Sequence, residues 1–144
     1  MLESINFVET RWTYLSPFSA HEVVVRGVMY KTAEHAYQVL RMKDAARENI
    51  AVSTSPLEAW RRAQIAKERG LLDESVDKLL LMEEIFRAKL EQHTDVREVL
   101  HETGDAELLK VYDTDYYWGT GADGSGENKM GKLWMKLRSE LQNK

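Results

Sequence analysis

The sequence has 144 residues, of which 43% are hydrophobic, and because this length and composition fit one globular domain we expect a single domain over residues 1–144. The absence of cysteine excludes disulfides, thiolate metal ligands and cysteine nucleophiles, and the net charge of −4 argues against broad electrostatic binding to nucleic acid. Because the sequence shows neither a secretion signal nor an apolar run of about 20 residues that could span a bilayer, we expect a soluble, cytoplasmic protein without a membrane partner.

Short strands are expected near the start of the chain. Residues 5–8, 22–25 and 28–30 are rich in β-branched and aromatic side chains, which favour strands. Arg26 and Gly27 separate the second segment from the third, and a glycine there is typical of a tight turn. The pattern therefore predicts that these two segments lie close together around a turn.

Helical patterns begin after Thr32. Apolar residues recur at helical spacing over about residues 33–47, with Thr32 as a candidate N-cap. Ser55 and Pro56 together form a typical helix start before residues 57–69. Both segments are therefore predicted to be helices.

Further helices are predicted in the second half of the chain, over residues 74–92 and 94–102, with a short one over residues 105–109. A polar, glycine-rich loop follows over about residues 113–127, and Asn128 is a candidate N-cap of the final helix. The apolar face of this final helix is formed by Met130, Leu133, Trp134, Leu137 and Leu141.

The expected fold is α+β, a predominantly helical single domain with a few short strands near the N-terminus, because helices dominate the chain after the first strands. Trp12, Trp60 and Trp134 lie in amphipathic surroundings, so we expect all three to pack in the core. The four histidines show no paired ligand spacing, and the sequence predicts neither a metal nor a cofactor.

Glu34 is the first candidate for chemistry. If Thr32 caps its helix, Glu34 lies in the first turn, where the helix dipole and unpaired backbone N–H groups favour a negative charge. An acidic residue at this position also stabilises a helix without any further role. An ionised carboxylate there is suited to opposing an oxocarbenium-like transition state or to attacking the anomeric carbon, so any acid for the leaving group must be another residue.

The loop over residues 115–128 is the second candidate. It combines aromatic rings with four glycines and with Asp115, Asp123 and Asn128. Glycines allow backbone N–H groups to approach a ligand, and an indole offers a stacking face for a base. The alternative is a surface loop whose aromatic rings pack on the core, which we favour for the two tyrosines, whereas Trp118 is the better candidate for stacking.

These residues resemble the NADAR, or YbiA-like, family of N-glycosidases. The family-like sequence words run in the family's order at residues 14–18, 27–38, 88–90, 100–105, 107–108, 115–119, 123–126, 128 and 131–138. The sequence departs from the family pattern at Pro17, at Leu40 with Arg41, and at Glu74, where asparagine, glutamine with lysine, and tryptophan are usual.

The resemblance implies a YbiA-like fold and hydrolysis of N-glycosidic bonds in ribosyl-amine or ADP-ribosyl compounds. It also implies a catalytic role for Glu34 and pocket roles for Trp118 and Asp123. Further substrate contacts are expected at positions within the family-like words, namely Ser16, Phe18, Gln38, Asp115, Gly119 and Asn128.

The leading hypothesis is an N-glycosidase that acts on phosphoribosylamino-pyrimidine intermediates of riboflavin biosynthesis or on related ribosyl and ADP-ribosyl compounds. The base would stack on Trp118, and loop N–H groups or Arg41 would bind the phosphate. Two alternatives stay open. One is an ADP-ribosyl-guanine hydrolase, whose partner would be ADP-ribosylated nucleic acid, and the other is a non-catalytic module that binds ADP-ribose or another NAD-derived nucleotide.

Overall fold

A computed structural model describes residues 3–144. The chain divides into two compact units. The central unit is Pro17–His93, and the terminal unit combines the chain through Ser16 with Thr94–Lys144. In chain order the elements are β1 (Ser4–Asn6), a 3-10 helix (Thr10–Leu15), β2 (Val23–Val25), β3 (Val28–Tyr30), α1 (Ala33–Leu40), α2 (Asp44–Ala51), α3 (Pro56–Glu68), α4 (Lys78–Gln92), α5 (Thr94–Glu102), β4 (Glu107–Leu109) and α6 (Lys129–Gln142).

The central unit begins with the hairpin of β2 and β3. The two strands are antiparallel, and Val25 is paired with Val28 next to the turn. Arg26 and Gly27 at the turn both have positive φ, at 54° and 80°. Positive φ at both central residues is typical of a two-residue hairpin turn, because the twist of such a turn matches the twist of the flanking strands. The turn predicted at this position is therefore confirmed.

The helix predicted over residues 33–47 is interrupted. α1 ends at Leu40 and α2 begins at Asp44. The backbone between them bonds to residues 71–73 instead: Lys43 N donates to Leu71 O at 2.7 Å, and Asp73 N donates to Arg41 O at 2.9 Å. Because these nonlocal bonds use groups that a continuous helix would need for itself, the helix is broken at this point.

The terminal unit contains a parallel pair of strands, β1 with β4, in which Ile5 is opposite Leu108. The short helix predicted over residues 105–109 is therefore wrong. An isolated helix of this length is unstable. Pairing with β1 satisfies the same backbone groups, including Leu109 O, which accepts a bond from Phe7 N at 3.1 Å.

The tryptophans divide between core and surface. Trp134 is fully buried in the terminal unit, and its indole N–H donates to Leu15 O at 2.7 Å. Trp60 is 44% exposed, so its predicted place in the core is wrong. The buried stripe of α3 consists of Ala59, Ala63 and Ala66, and Trp60 lies one residue away from that stripe, about 100° around the helix. Trp12 is half-buried.

The expected fold class is confirmed, since most elements are helices and the strands are short. One strand, β4, lies late in the chain and not near its start. Among residues 3–144, no helix combines the length and the apolar character that crossing a membrane requires.

Candidate active site

Glu34 lies in the first turn of α1, in the central unit. Thr32 caps this helix, because its hydroxyl accepts a hydrogen bond from His35 N at 3.2 Å. The backbone N–H of Glu34 donates to Pro17 O at 3.0 Å. Glu34 is only 6% exposed. The expected capped start is therefore present, and it holds a buried carboxylate where the helix dipole favours negative charge.

Gln38 lies one turn further along α1 and bonds to Glu34. Its amide Nε2 donates to Glu34 Oε2 at 2.7 Å, and both side chains are buried. A hydrogen bond to a carboxylate is stronger than one between neutral groups and limits the directions the carboxylate can take. The structure thus pairs two of the residues that the sequence selects for the site.

His35 faces a different set of partners. Its Nδ1 lies 2.8 Å from Thr32 Oγ1, and its Nε2 lies 3.0 Å from Ser53 O. A carbonyl can only accept, so Nε2 carries the proton and Nδ1 accepts from the threonine hydroxyl. Burial lowers the pKa of His35, and the charge of Lys31 lowers it further, against the bond to Ser53 O, which raises it. His35 is therefore a neutral structural group.

Lys89, on α4, is a buried basic residue that was not among the site residues predicted from the sequence. Its residue is fully buried, and its Nζ donates to Ser19 Oγ at 2.6 Å. Ser19 Oγ lies 2.8 Å from His21 Nδ1. The segment that carries these two residues also contains Pro17, whose carbonyl binds the start of α1. A lysine three residues after Phe86 on the apolar stripe of α4 is the signal that could have identified this group.

Arg41 and Phe18 are two further candidates in the central unit. Arg41 is the C-cap of α1, and its guanidinium lies 5.1 Å from the centroid of the Tyr37 ring. Phe18 is 43% exposed. Phosphate binding by Arg41 and substrate contact by Phe18 stay predictions. Ser16 belongs to the terminal unit, where it is the C-cap of the 3-10 helix.

Asp115 organises the glycine-rich loop of the terminal unit. Its Oδ1 accepts from Tyr117 N at 3.2 Å and from Trp118 N at 2.8 Å, and its Oδ2 lies 2.7 Å from Lys110 Nζ. Burial by itself would raise the pKa of Asp115, but the bond and the charge of Lys110, together with the two backbone donors, hold that pKa below its ordinary value. Asp115 therefore remains charged and folds the loop that presents Trp118.

Asn128 joins this loop to β4. The residue is at the N-cap position of α6 with a positive φ of 49°, but its side chain makes no capping bond, so that part of the prediction is wrong. Instead Nδ2 donates to Leu108 O at 3.0 Å, and Oδ1 accepts from Lys110 N at 3.0 Å. These bonds to the strand occupy the side chain that capping would require.

The remaining loop candidates differ in exposure. Gly119 is buried, and a Cβ there would lie 2.7 Å from Lys110 O, so the glycine allows the loop to close upon its own backbone. Asp123 is exposed, and its Oδ1 accepts from both N and Oγ of Ser125, which lowers the pKa of Asp123. Trp118 is half-buried, with its ring edge-to-face on Tyr117 at 4.9 Å between centroids.

A family model described as the NADAR domain matches residues 6–142, which is nearly the whole chain. The chain belongs to the NADAR family. The segments of NADAR resemblance coincide with the two regions described above, since residues 27–38 carry the start of α1 and residues 115–119 carry the loop that Asp115 folds.

Three relatives whose names describe an activity or a pathway are also similar to the chain. The chain is 35% identical to N-glycosidase YbiA of Escherichia coli (strain K12) over 95% of this chain and 88% of that protein. It is 35% identical to N-glycosidase Npun_R5314 of Nostoc punctiforme over 89% of this chain and 85% of that protein. It is 30% identical to the riboflavin biosynthesis protein VVA0006 of Vibrio vulnificus over 90% of this chain but 35% of that longer protein.

The solved NMR structure of the E. coli protein YbiA is similar to this NADAR chain with a TM-score of 0.82 and 32% identity. The match covers 99% of this chain and 87% of the other. The family and the YbiA-like fold expected from the sequence are therefore confirmed. The enzyme class is confirmed with them, a hydrolase that acts on N-glycosyl compounds.

Proposed function

We propose that this chain hydrolyses the base–ribose bond of phosphoribosylamino-pyrimidine intermediates of riboflavin biosynthesis, or of closely related ribosyl and ADP-ribosyl compounds, with Glu34 as the catalytic carboxylate. The name of the Vibrio vulnificus relative, a riboflavin biosynthesis protein, supports the pyrimidine substrate class. The chemistry of the Glu34 site supports the reaction.

Cleavage of an N-glycosidic bond builds positive charge on the sugar as the base departs. A carboxylate beside the anomeric carbon stabilises that charge, or bonds to the carbon before water displaces it. The observation that carries the proposal is the buried carboxylate of Glu34, which lies at a helix start and accepts a 2.7 Å hydrogen bond from Gln38. A buried charge costs free energy to maintain, and this arrangement supplies both a donor and the helix dipole to offset that cost.

The other candidate residues have separate proposed roles. Trp118 stacks with the base, because its side chain is only half-buried and an indole is suited to stacking on a base. Arg41 or backbone N–H groups of the loop bind the phosphate. Ser16, Phe18, Gly119 and Asp123 contribute contacts with the substrate, whereas Asp115 and Asn128 support the loop through the bonds described above.

A panel of N-ribosides tests this function. The purified chain is incubated with ribosylamino-pyrimidines and purine nucleosides, each with and without a 5′-phosphate or an ADP group, and with ADP-ribosylated guanine. Released base is measured by chromatography, and binding of ADP-ribose is measured by titration calorimetry. We expect release from phosphorylated ribosylamino-pyrimidines, and release that is slower by about 100-fold or more with a Glu34→Gln variant. Release only from ADP-ribosylated guanine would favour that alternative substrate, and tight binding of ADP-ribose without release from any compound would contradict the enzymatic proposal.

A further inference from the structure

Gln38 is an unusual residue for its position. Every residue of α1 is buried, and Gln38 itself is only 2% exposed. Within the central unit, α1 contacts α2, α3 and α4. Glutamine is mostly an exposed residue, because its amide loses hydrogen bonds to water on burial. An apolar residue of similar length, such as methionine, would fill the same space without that loss.

The two polar atoms of Gln38 are treated differently by the fold. Its Nε2 donates to Glu34 Oε2 at 2.7 Å. Its Oε1 is buried and accepts no hydrogen bond from any residue between positions 3 and 144. The orientation of the amide follows from chemistry, because an ionised carboxylate can only accept and so requires the NH₂ group to face it. The fold leaves the carbonyl unsatisfied and keeps the bond to Glu34.

The difference between the two polar atoms of Gln38 favours a functional role for this residue over a purely structural one. A glutamine that served packing or stability would be expected to satisfy both polar atoms, since an unsatisfied buried carbonyl is unfavourable. The one described hydrogen bond of this side chain goes to the carboxylate that we assign to catalysis. Because Oε1 has almost no accessible surface, the side chain acts on Glu34 and not on the substrate directly.

We propose that Gln38 is the positioning residue of Glu34. It fixes one carboxylate oxygen and supports the ionised form before the substrate binds, so that little reorganisation remains when charge develops on the sugar. This inference rests on the proposed function, and it changes the role of Gln38 from the substrate contact expected from the sequence to support of the catalytic group.

The test compares Gln38→Met with Gln64→Met, the same substitution at a half-buried position on α3. Steady-state rates are measured on the N-riboside that the wild-type chain hydrolyses best, and circular dichroism checks that each variant is folded. We expect Gln38→Met to lower kcat by about 10- to 100-fold, the range for one hydrogen bond to a charged group, while KM stays close to the wild-type value. Gln64→Met should change neither constant.

A double variant separates positioning from any independent effect. In the Glu34→Gln background, Gln38→Met should cause no further loss of the residual rate, because its effect passes through the carboxylate. Should Gln38→Met fail to fold, Gln38→Leu serves instead, since it removes the donor and places no second carboxylate beside Glu34. The same loss of kcat is expected.

The possible outcomes distinguish this inference from the proposed function. If Glu34→Gln lowers kcat/KM by about 100-fold or more while Gln38→Met keeps full activity, or raises KM alone, the positioning role is wrong and the proposed function stands. If the wild-type chain releases no base from any N-riboside, both the proposed function and the positioning role are wrong. Additive losses in the double variant would also overturn the positioning role.

Discussion

Glu34 combines two properties that seldom occur together, a carboxylate side chain and nearly complete burial. Its local surroundings explain how the fold accommodates it. Thr32 caps the helix, Gln38 donates to the carboxylate, and the start of α1 supplies a favourable dipole. The same features make a neutral replacement tolerable for folding and damaging for chemistry.

Glu34→Gln should lower kcat/KM by about 100-fold or more, because the side chain keeps its size but no longer offers a negative charge to the sugar cation. Glu58→Gln is the matched control, since Glu58 also lies in the first turn of a capped helix, α3, but is less buried. The control should retain wild-type activity. Equal activity of all three proteins would remove Glu34 from the mechanism.

Trp118→Ala should weaken substrate binding by about 10- to 100-fold, corresponding to the roughly 1–3 kcal/mol of one stacked base. Titration calorimetry with an unreactive nucleotide analogue measures this directly. Trp60→Ala provides the comparison, because Trp60 is an exposed tryptophan on α3. An unchanged dissociation constant for Trp118→Ala would contradict a stacking role.

His35 should make stability dependent on pH. Its pKa is lowered by burial in the folded chain, so the unfolded chain binds a proton at a higher pH than the folded chain does. The neutral, buried His35 therefore contributes fully to the free energy of unfolding above about pH 6.5, the ordinary pKa of histidine. This contribution is lost as pH falls below that value. Urea unfolding at several pH values checks this.

A His35→Asn variant should lack that component, whereas His101→Asn, at an exposed position on α5, should keep it. A wild-type stability that is constant as pH falls through this range, or the same pH dependence in His35→Asn, would show that protonation of His35 does not control stability there.

At the scale of elements, the junction of β4 with α6 depends on close approach of two backbones. Gly131 lies in the first turn of α6, and a Cβ at this position would overlap Leu108 O of β4 and the side-chain amide of Asn128. The carbonyl belongs to a strand paired with β1, so it cannot move without disturbing that pair. The glycine is therefore required by packing and not by helix formation.

Gly131→Ala should destabilise the chain by about 2 kcal/mol or more, although alanine normally stabilises a helix relative to glycine. A decrease in the free energy of unfolding, opposite to the usual effect of replacing glycine by alanine in a helix, would identify the close contact with β4. Lys132→Ala, at the next and exposed position, should change the free energy of unfolding by less than about 0.5 kcal/mol. Thermal or urea unfolding measures both, and a stabilising Gly131→Ala would show that β4 and α6 can separate without cost.

At the scale of the whole molecule, the net charge of −4 limits the partners that electrostatics alone can attract. A small phosphorylated substrate needs only a few local donors, whereas a long nucleic-acid footprint needs many cations along one surface. The charge balance therefore favours a small-molecule substrate over a nucleic acid.

We expect the chain to bind a short DNA duplex weakly at physiological ionic strength, with little change in affinity as salt is varied, because few phosphates would be neutralised. Fluorescence anisotropy over a series of salt concentrations measures this. The phosphorylated N-riboside is the comparison ligand. A steep salt dependence with tight duplex binding would favour the nucleic-acid alternative.

Much of the architecture follows from local patterns. The turn at Arg26 and Gly27, the helix that starts at Pro56 and the helix Thr94–Glu102 were all predictable, because turn residues, a capping serine before proline and regular apolar spacing act over a few residues. The capped start of α1, which holds Glu34, was predictable for the same reason.

Other features were decided by contacts between distant segments. β4 forms because β1 offers a partner, and α1 stops at Leu40 because residues 71–73 bond to the segment after it. Trp60 is exposed because α3 buries a stripe of alanines, and no count of apolar residues reveals which stripe that is.

For the candidate site, the sequence by itself determined the family, the class of reaction and the position of a carboxylate in a first turn, since these depend on motifs and on short-range capping. Only the tertiary structure decided that Gln38 donates to that carboxylate, that Lys89 is buried against Ser19, and that Asn128 binds β4 instead of capping α6. Hydrogen bonds of buried groups depend on which partners the folded chain brings within reach, and that is a property of the packed chain as a whole.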